Sequence, residues 1–236
     1  MASSGTYDFD MSNAQILSEA FDRIQIRGPS LTRSHLISAR QSLNLELQRW
    51  SNKGINLWKV GSGTINLVAG TVTYTLPQQL ELLTDLWRRT VGGPSATDDT
   101  DIYMAPVTRQ QYAQMPTKFM PGLPTQYWFQ RLTTPQITVY PAPSVGAPTY
   151  VLHWFGLVRI EDANPTGTET PDVPYRAYDA LCAALAARLA VKFSDDAVVK
   201  ARKADAAEAW LDFASNDQET GSVIAGPNIG AYRSGL

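Results

Sequence analysis

Two histidines and a single cysteine limit the side-chain chemistry open to this chain of 236 residues. A nucleophilic triad needs a serine or cysteine beside a histidine, and no G-x-S-x-G turn is present to expose such a nucleophile. His35 lies in a helical stretch with Arg33, Ser34 and Arg40, where a solvated side chain is expected. His153 alternates with Leu152 and Trp154 in a strand pattern, which suits a structural or interface role better than a general base. Cys182 sits in an Ala/Leu stretch and reads as a small buried hydrophobe, so no disulfide can form within the chain. One cysteine and two distant histidines cannot supply a zinc set. Asp98-Asp99-Thr100-Asp101 lacks the glycine and distal glutamate of a calcium loop and reads as a solvated acidic loop. Gly61-Ser62-Gly63-Thr64 lacks the lysine of a phosphate-binding loop and precedes a strand. Glu161, Asp162, Glu169 and Asp172 are the remaining acids that could flank a glycosidic bond. No cofactor or metal is implied, and the expectation is a protein without catalytic activity.

Composition points the same way. Formal charge is −2, and only 18% of residues are charged. Lys200, Arg202 and Lys203, the densest basic cluster, share their helix with Asp205 and Glu208, so no stripe suited to tight nucleic-acid binding exists. No apolar run approaches the ~18 residues of a membrane helix. The N-terminal stretch has neither a basic nor an apolar leader region, so a cytosolic product is expected. Aromatic, proline and uncharged polar residues without a catalytic constellation suit protein–protein contact.

The elements that must position these residues form an α+β pattern. Ser12 and Gln15 make a capping box before Ile16, Leu17, Ala20, Phe21 and Ile24, with Gly28-Pro29 stopping the first helix. The second starts near Ser30 or Thr32 and groups Leu36, Ala39, Leu43, Leu47 and Trp50 on one face. Leu45 lies opposite and Ile37 between. A third runs from Pro174 to about Phe193. A fourth runs from about Asp195 to Ala214, with Val199, Ala206, Trp210 and Phe213 on its apolar side. Strand periods appear at 64–68, 72–76, 127–132, 136–140 and 150–155, with 92–122 expected as exposed loops. These patterns predict a four-helix bundle from an N-terminal helical pair (1–58) and a C-terminal pair (171–215). A β-rich domain (59–170) is inserted between them. The terminal segment (216–236) cannot build its own core and reads as a frayed end or an extended arm, with Val223, Ile224, Ile229 and Tyr232 available to dock into another chain.

Several runs in this order carry a resemblance. They are Ala20-Phe21-Asp22-Arg23, Leu31-Thr32-Arg33-Ser34-His35-Leu36, Ala39-Arg40-Gln41-Ser42-Leu43-Asn44-Leu45 and Trp50-Ser51-Asn52-Lys53-Gly54-Ile55-Asn56-Leu57-Trp58. To these are added Gly70-Thr71-Val72-Thr73-Tyr74-Thr75-Leu76-Pro77, Ile137-Thr138-Val139-Tyr140-Pro141-Ala142-Pro143, and Asp172-Val173-Pro174 with Trp210. Together they resemble the head-to-tail adaptor proteins of short-tailed, podovirus-like phages over most of residues 7–220. The resemblance implies a homo-oligomeric ring, usually twelvefold, bound beneath the portal protein in the virion neck after assembly in the host cytoplasm. Such a ring seals and extends the DNA channel and offers a platform to the tail nozzle and to fibres or spikes. Genomic DNA passes through without sequence-specific binding, and the terminal arm reaches along the portal.

Within that scheme Ile37 and Leu45 are candidate subunit contacts. Trp50, Gly54 and Trp58 form a candidate corner between the helices and the β-rich domain. Competing readings are a tail-tube or tail-completion protein lying below the adaptor, a cell-wall glycan hydrolase using acids at 161–172, and a carbohydrate-binding module stacking sugars on Trp128 or Trp154.

Overall fold

The computed structural model describes residues 5–6, 8–53, 57–92, 99–145, 149–164 and 167–216. Within these the protein is α+β, with five α-helices and three sheets. The helices are α1 (Asn13–Arg23), α2 (Arg33–Lys53), α3 (Arg109–Gln114), α4 (Tyr178–Phe193) and α5 (Asp196–Asn216). The strands, in chain order, are β1 (Val60–Asn66), β2 (Thr73–Thr75), β3 (Leu80–Thr90), β4 (Thr100–Tyr103), β5 (Ala105–Pro106), β6 (Pro121–Gly122), β7 (Gln126–Gln130), β8 (Gln136–Tyr140), β9 (Ala142–Pro143) and β10 (Tyr150–Val158).

Helix α1 begins where its capping box dictates. Gln15 N–H donates to Ser12 Oγ at 3.3 Å, and Ser12 N–H donates to the Gln15 side-chain oxygen at 2.8 Å. It ends before Gly28-Pro29, where the chain turns through Gln25 at a φ of 64° and then makes a 3-10 turn over Gly28–Ser30. Along α2, Ala39, Leu43, Leu47 and Trp50 are buried, whereas Leu36, one turn before them, is 46% exposed. One apolar core joins the two ends of the chain: Ile16, Ala20 and Phe21 of α1 and Leu43 and Leu47 of α2 meet Leu181, Leu185 and Leu189 of α4. The alanines of α4 let α5 pack closely along it.

A second core is made by strands. The first sheet runs β1-β10-β3-β4, each neighbour antiparallel, and the second runs β2-β8-β7-β5. Leu86, Leu152 and Trp154 of the first sheet and Tyr74, Tyr127 and Ile137 of the second share this core. Gly63 permits the close pairing of β1 and β10, since a Cβ there would meet the Trp154 ring at 2.7 Å. The third sheet is the short parallel pair β6-β9.

This architecture adds a strand that no sequence period marked and corrects one expectation. The 11-residue β3 lies between β10 and β4 although its sequence does not alternate, because charged residues stand within it and one of them, Arg88, is buried. The 92–122 segment, expected as loops, contributes β4, β5, α3 and β6 within its described part. Helix α3 is capped by Thr108 and Gln111 in a second capping box.

Candidate functional site

The residues that tie the helices to the strands cluster at the end of α2. Trp50 is fully buried. Its ring stacks on Phe213 of α5 at 5.5 Å and meets Trp210 edge-on at 5.1 Å. Trp58 also reaches Phe213, edge-on at 5.6 Å, and its indole N–H donates to the Asp172 carbonyl at 3.3 Å. The two predicted corner tryptophans thus converge on one side chain of α5. Gly54, the third predicted corner residue, lies outside the described residues. Lys59 Nζ is 2.5 Å from Asp172 Oδ2. The chain returning from β10 is held against α2 by Ile160 N–H donating to Ser51 Oγ at 3.2 Å and by Ala163 N–H donating to Asn44 Oδ1 at 2.7 Å.

Beside this aromatic cluster stands a carboxylate that period analysis passes over. Glu46 lies on the same face as Leu43, Leu47 and Trp50, and its side chain is only 1% exposed. It accepts from Arg188 of α4 and, at 3.1 Å, from the Trp50 indole N–H, with Arg49 at 3.5 Å. A buried carboxylate is tolerated only when its charge is matched and its lone pairs are filled, and this arrangement does both. Its sequence signal was a glutamate at i+3 from Leu43 and i−4 from Trp50. Two turns on from Glu46, the Lys53 ammonium sits 3.2 Å above the Trp210 ring. Burial, and then the charge of Arg49, hold its pKa below the ordinary lysine value, with Glu46 opposing.

The predicted subunit contacts do not join this cluster. Ile37 and Leu45 are 45% and 53% exposed on α2. Leu45 borders a separate depression of about 430 Å³ that includes Gln41, Arg159 and Asp162. Val223, Ile224, Ile229 and Tyr232 lie outside the described residues.

On the first sheet, His153 of β10 stacks on Trp87 of β3 at 5.7 Å and 16°, and Phe155 meets the same indole at 5.0 Å. Arg89 donates to both carboxylate oxygens of Asp101, each at 2.7 Å. That hydrogen bond holds the Asp101 carboxyl below its usual pKa. Partial burial, then the Arg89 charge, lower the His153 pKa, with Asp101 and Asp99 opposing. The acidic stretch is therefore not simply solvated: Asp101 is a strand residue bound to arginine, and Asp99 lies 3.9 Å from Arg89. Asp98 lies outside the described residues. His35 is likewise corrected. It is half-buried against Phe193 at 4.8 Å and Phe21 at 6.1 Å, and its Nδ1 accepts from Thr32 N–H.

The remaining candidate chemistry is occupied by structural contacts. Asp172 accepts from Glu161 N–H at 3.0 Å as well as binding Lys59, and Glu169 accepts from Asn164 at 2.7 Å. Cys182 is buried, and burial pushes its thiol up to about 12. Trp154 lies in the strand core, while Trp128 is half-buried and stacks on Tyr112 of α3 at 5.4 Å. Among the described residues no group of three or more His, Cys, Asp and Glu could hold a metal ion. No described helix is long and apolar enough to cross a membrane.

A helical core closed by aromatic and ionic contacts is thus joined to a strand core, with large side chains such as Leu45, Phe119 and Tyr175 left exposed. Residues 12–227 match the family described as SU10 adaptor protein, and the chain belongs to that family. It is accordingly a structural adaptor protein of a phage virion. Among curated proteins, no match to the chain was found.

Proposed function

We propose that the chain is a head-to-tail adaptor that closes into a ring, twelvefold by the usual symmetry of such assemblies, beneath the portal protein in the virion neck. The ring extends and seals the DNA channel and offers its β-rich parts to the tail nozzle and to fibres or spikes. Genomic DNA passes through without base-specific contact, which accords with a formal charge of −2 and the absence of a basic stripe in the sequence. In this reading residues 1–58 and 171–215 make one four-helix bundle, and residues 59–170 are a β-rich domain inserted into it. Residues 216–236 are an arm whose Val223, Ile224, Ile229 and Tyr232 bind the portal. Ile37 and Leu45 add subunit contacts on α2. The Trp50–Gly54–Trp58 corner fixes the angle between the two parts.

The observation that carries this proposal is the family match over residues 12–227. The apolar core shared by α1, α2, α4 and α5 supports the bundle, because residues from both ends of the chain are needed to complete it. Many weak arms in one closed ring would hold tightly through avidity even if each bound poorly alone. The test is attachment to portal-bearing capsids by the full chain and by a chain lacking residues 221–236. The proposal predicts that the shortened chain stays folded and no longer attaches. Normal attachment of the shortened chain would remove the arm from the mechanism. Binding to the nozzle without binding to portal would place the chain lower in the tail.

A further inference from the structure

Helix α5 has two flanks of opposite character. On the α2 side a depression of about 530 Å³ opens between α2, α4 and α5. Ala184, Ala187, Ala206, Ala207 and Trp210 line it, together with Val191 and Leu211, which are 60% and 68% exposed. Arg49, Lys53, Arg188 and Lys203 line it against one carboxylate, Glu46, which is already enclosed by Arg188, Arg49 and the Trp50 N–H. The surplus is therefore positive.

On the α1 side of the same helix a second groove is lined by Arg23 and Arg202 against Asp179, Asp205, Glu208 and Asp212. Both of these cations are engaged within the subunit: Arg23 by Glu19 at 2.9 Å and Asp179 at 2.7 Å, and Arg202 by Asp205 at 2.9 Å. The surplus here is negative. Asp205, Glu208 and Asp212 recur at i, i+3 and i+7, which places them in one stripe about 10 Å long. Lys203, Ala207 and Trp210 recur at i, i+4 and i+7 on the other flank, so the two surfaces point away from each other.

A surface that pairs with a different surface of an identical copy makes a head-to-tail contact, and repetition of that contact generates a ring when the rotation closes. We propose that the acidic flank of α5 in one subunit docks over the basic, alanine-lined groove between α2, α4 and α5 of a second copy. This inference rests on the ring reading above and specifies which faces make the ring. Apolar contact with Val191 and Leu211 contributes to affinity, and the opposed charges set direction and exclude the like-with-like arrangement.

The test uses Lys203→Glu and Glu208→Lys, two exposed positions on opposite flanks of α5. Self-association of the full chain is measured by sedimentation, alone and on purified portal, with circular dichroism to show that each variant folds. Each single reversal is expected to weaken self-association by roughly tenfold or more through like-charge contact. An equimolar mixture of the two variants is expected to assemble, because the K203E groove against the E208K flank restores an opposite-charge pair at positions 203 and 208, and the E208K groove against the K203E flank is the unaltered pairing. The K203E/E208K double variant should assemble for the same reason. Unchanged assembly of the single variants, or failure of the mixture, overturns this inference while leaving a ring built on other faces. If the single variants assemble normally and removal of residues 217–236 newly opens the groove to an apolar dye, the chain's own terminal segment is the occupant and the inference also falls. A wild-type chain that forms no ring with portal present refutes the ring reading itself.

Discussion

Replacing Arg188 by methionine isolates the contribution of the Glu46 pair, because methionine keeps most of the stem packing and removes the guanidinium. Glu46 is 1% exposed and cannot rehydrate, whereas Arg188 is 32% exposed and can. Removing the partner of a buried charge costs about 3–5 kcal/mol. Glu46 would retain the Trp50 N–H at 3.1 Å and the more distant Arg49 at 3.5 Å, which places the expected loss at the lower end, about 3 kcal/mol. For a chain of this length that corresponds to a fall in Tm of roughly 6–12 °C. Glu46→Gln should cost less, about 1 kcal/mol, since the amide oxygen still accepts from Trp50 and the exposed guanidinium returns to water. Glu46→Leu combined with Arg188→Met should fall within about 1 kcal/mol of wild type, because an apolar pair of similar volume has no buried charge to satisfy. Urea and thermal unfolding of the four proteins give the comparison. A loss under about 1 kcal/mol for Arg188→Met, or a double variant as unstable as that single one, would show that the Glu46 charge does not depend on Arg188.

Other predictions concern separate parts of the fold. Cys182, with its thiol raised from 9.0 to about 12, stays protonated in the folded chain while the unfolded chain ionises, so its contribution to stability is complete below about pH 9 and is lost as pH rises toward about 12. Cys182→Ala should therefore flatten alkaline denaturation by up to about 1.4 kcal/mol per pH unit in that window, and the native thiol should resist a thiol reagent until the chain is unfolded. Gly63→Ala would place a Cβ 2.7 Å from the Trp154 ring and should cost about 1–3 kcal/mol, read from urea midpoints. Ser12→Ala removes the α1 cap and should cost about 1 kcal/mol, read from the same midpoints.

The helical part was legible because its signals are local. Capping by Ser12, the apolar spacing of Leu43, Leu47 and Trp50, and the Ala/Leu run of α4 each follow from neighbours a few residues away. Strand β3 was not, since Arg88 is buried by donating to the Pro124 carbonyl, 36 residues distant, and such a partner is invisible to periodicity. Residues 99–122 were obscured by their prolines and by elements only two to six residues long, although Thr108 and Gln111 carried the signal of a helix start. The charged flanks of α5 were hidden for a related reason. Arg49, Arg188 and Lys203 belong to three helices, so their common groove exists only once α4 and α5 pack beside α2. Leu45 and Ile37 were read as contacts because they are apolar residues lying off the core-facing side of α2, yet exposure alone does not say what covers them.

Imaging of purified portal after addition of the full chain distinguishes a ring-forming adaptor from a protein that binds lower in the tail. A ring of new density bound to one face of the portal and centred on the channel, with residues 217–236 cross-linking to portal, is the expected result. Portal that stays bare while the chain binds tail nozzle, or that takes up single subunits without closing a ring, would contradict it.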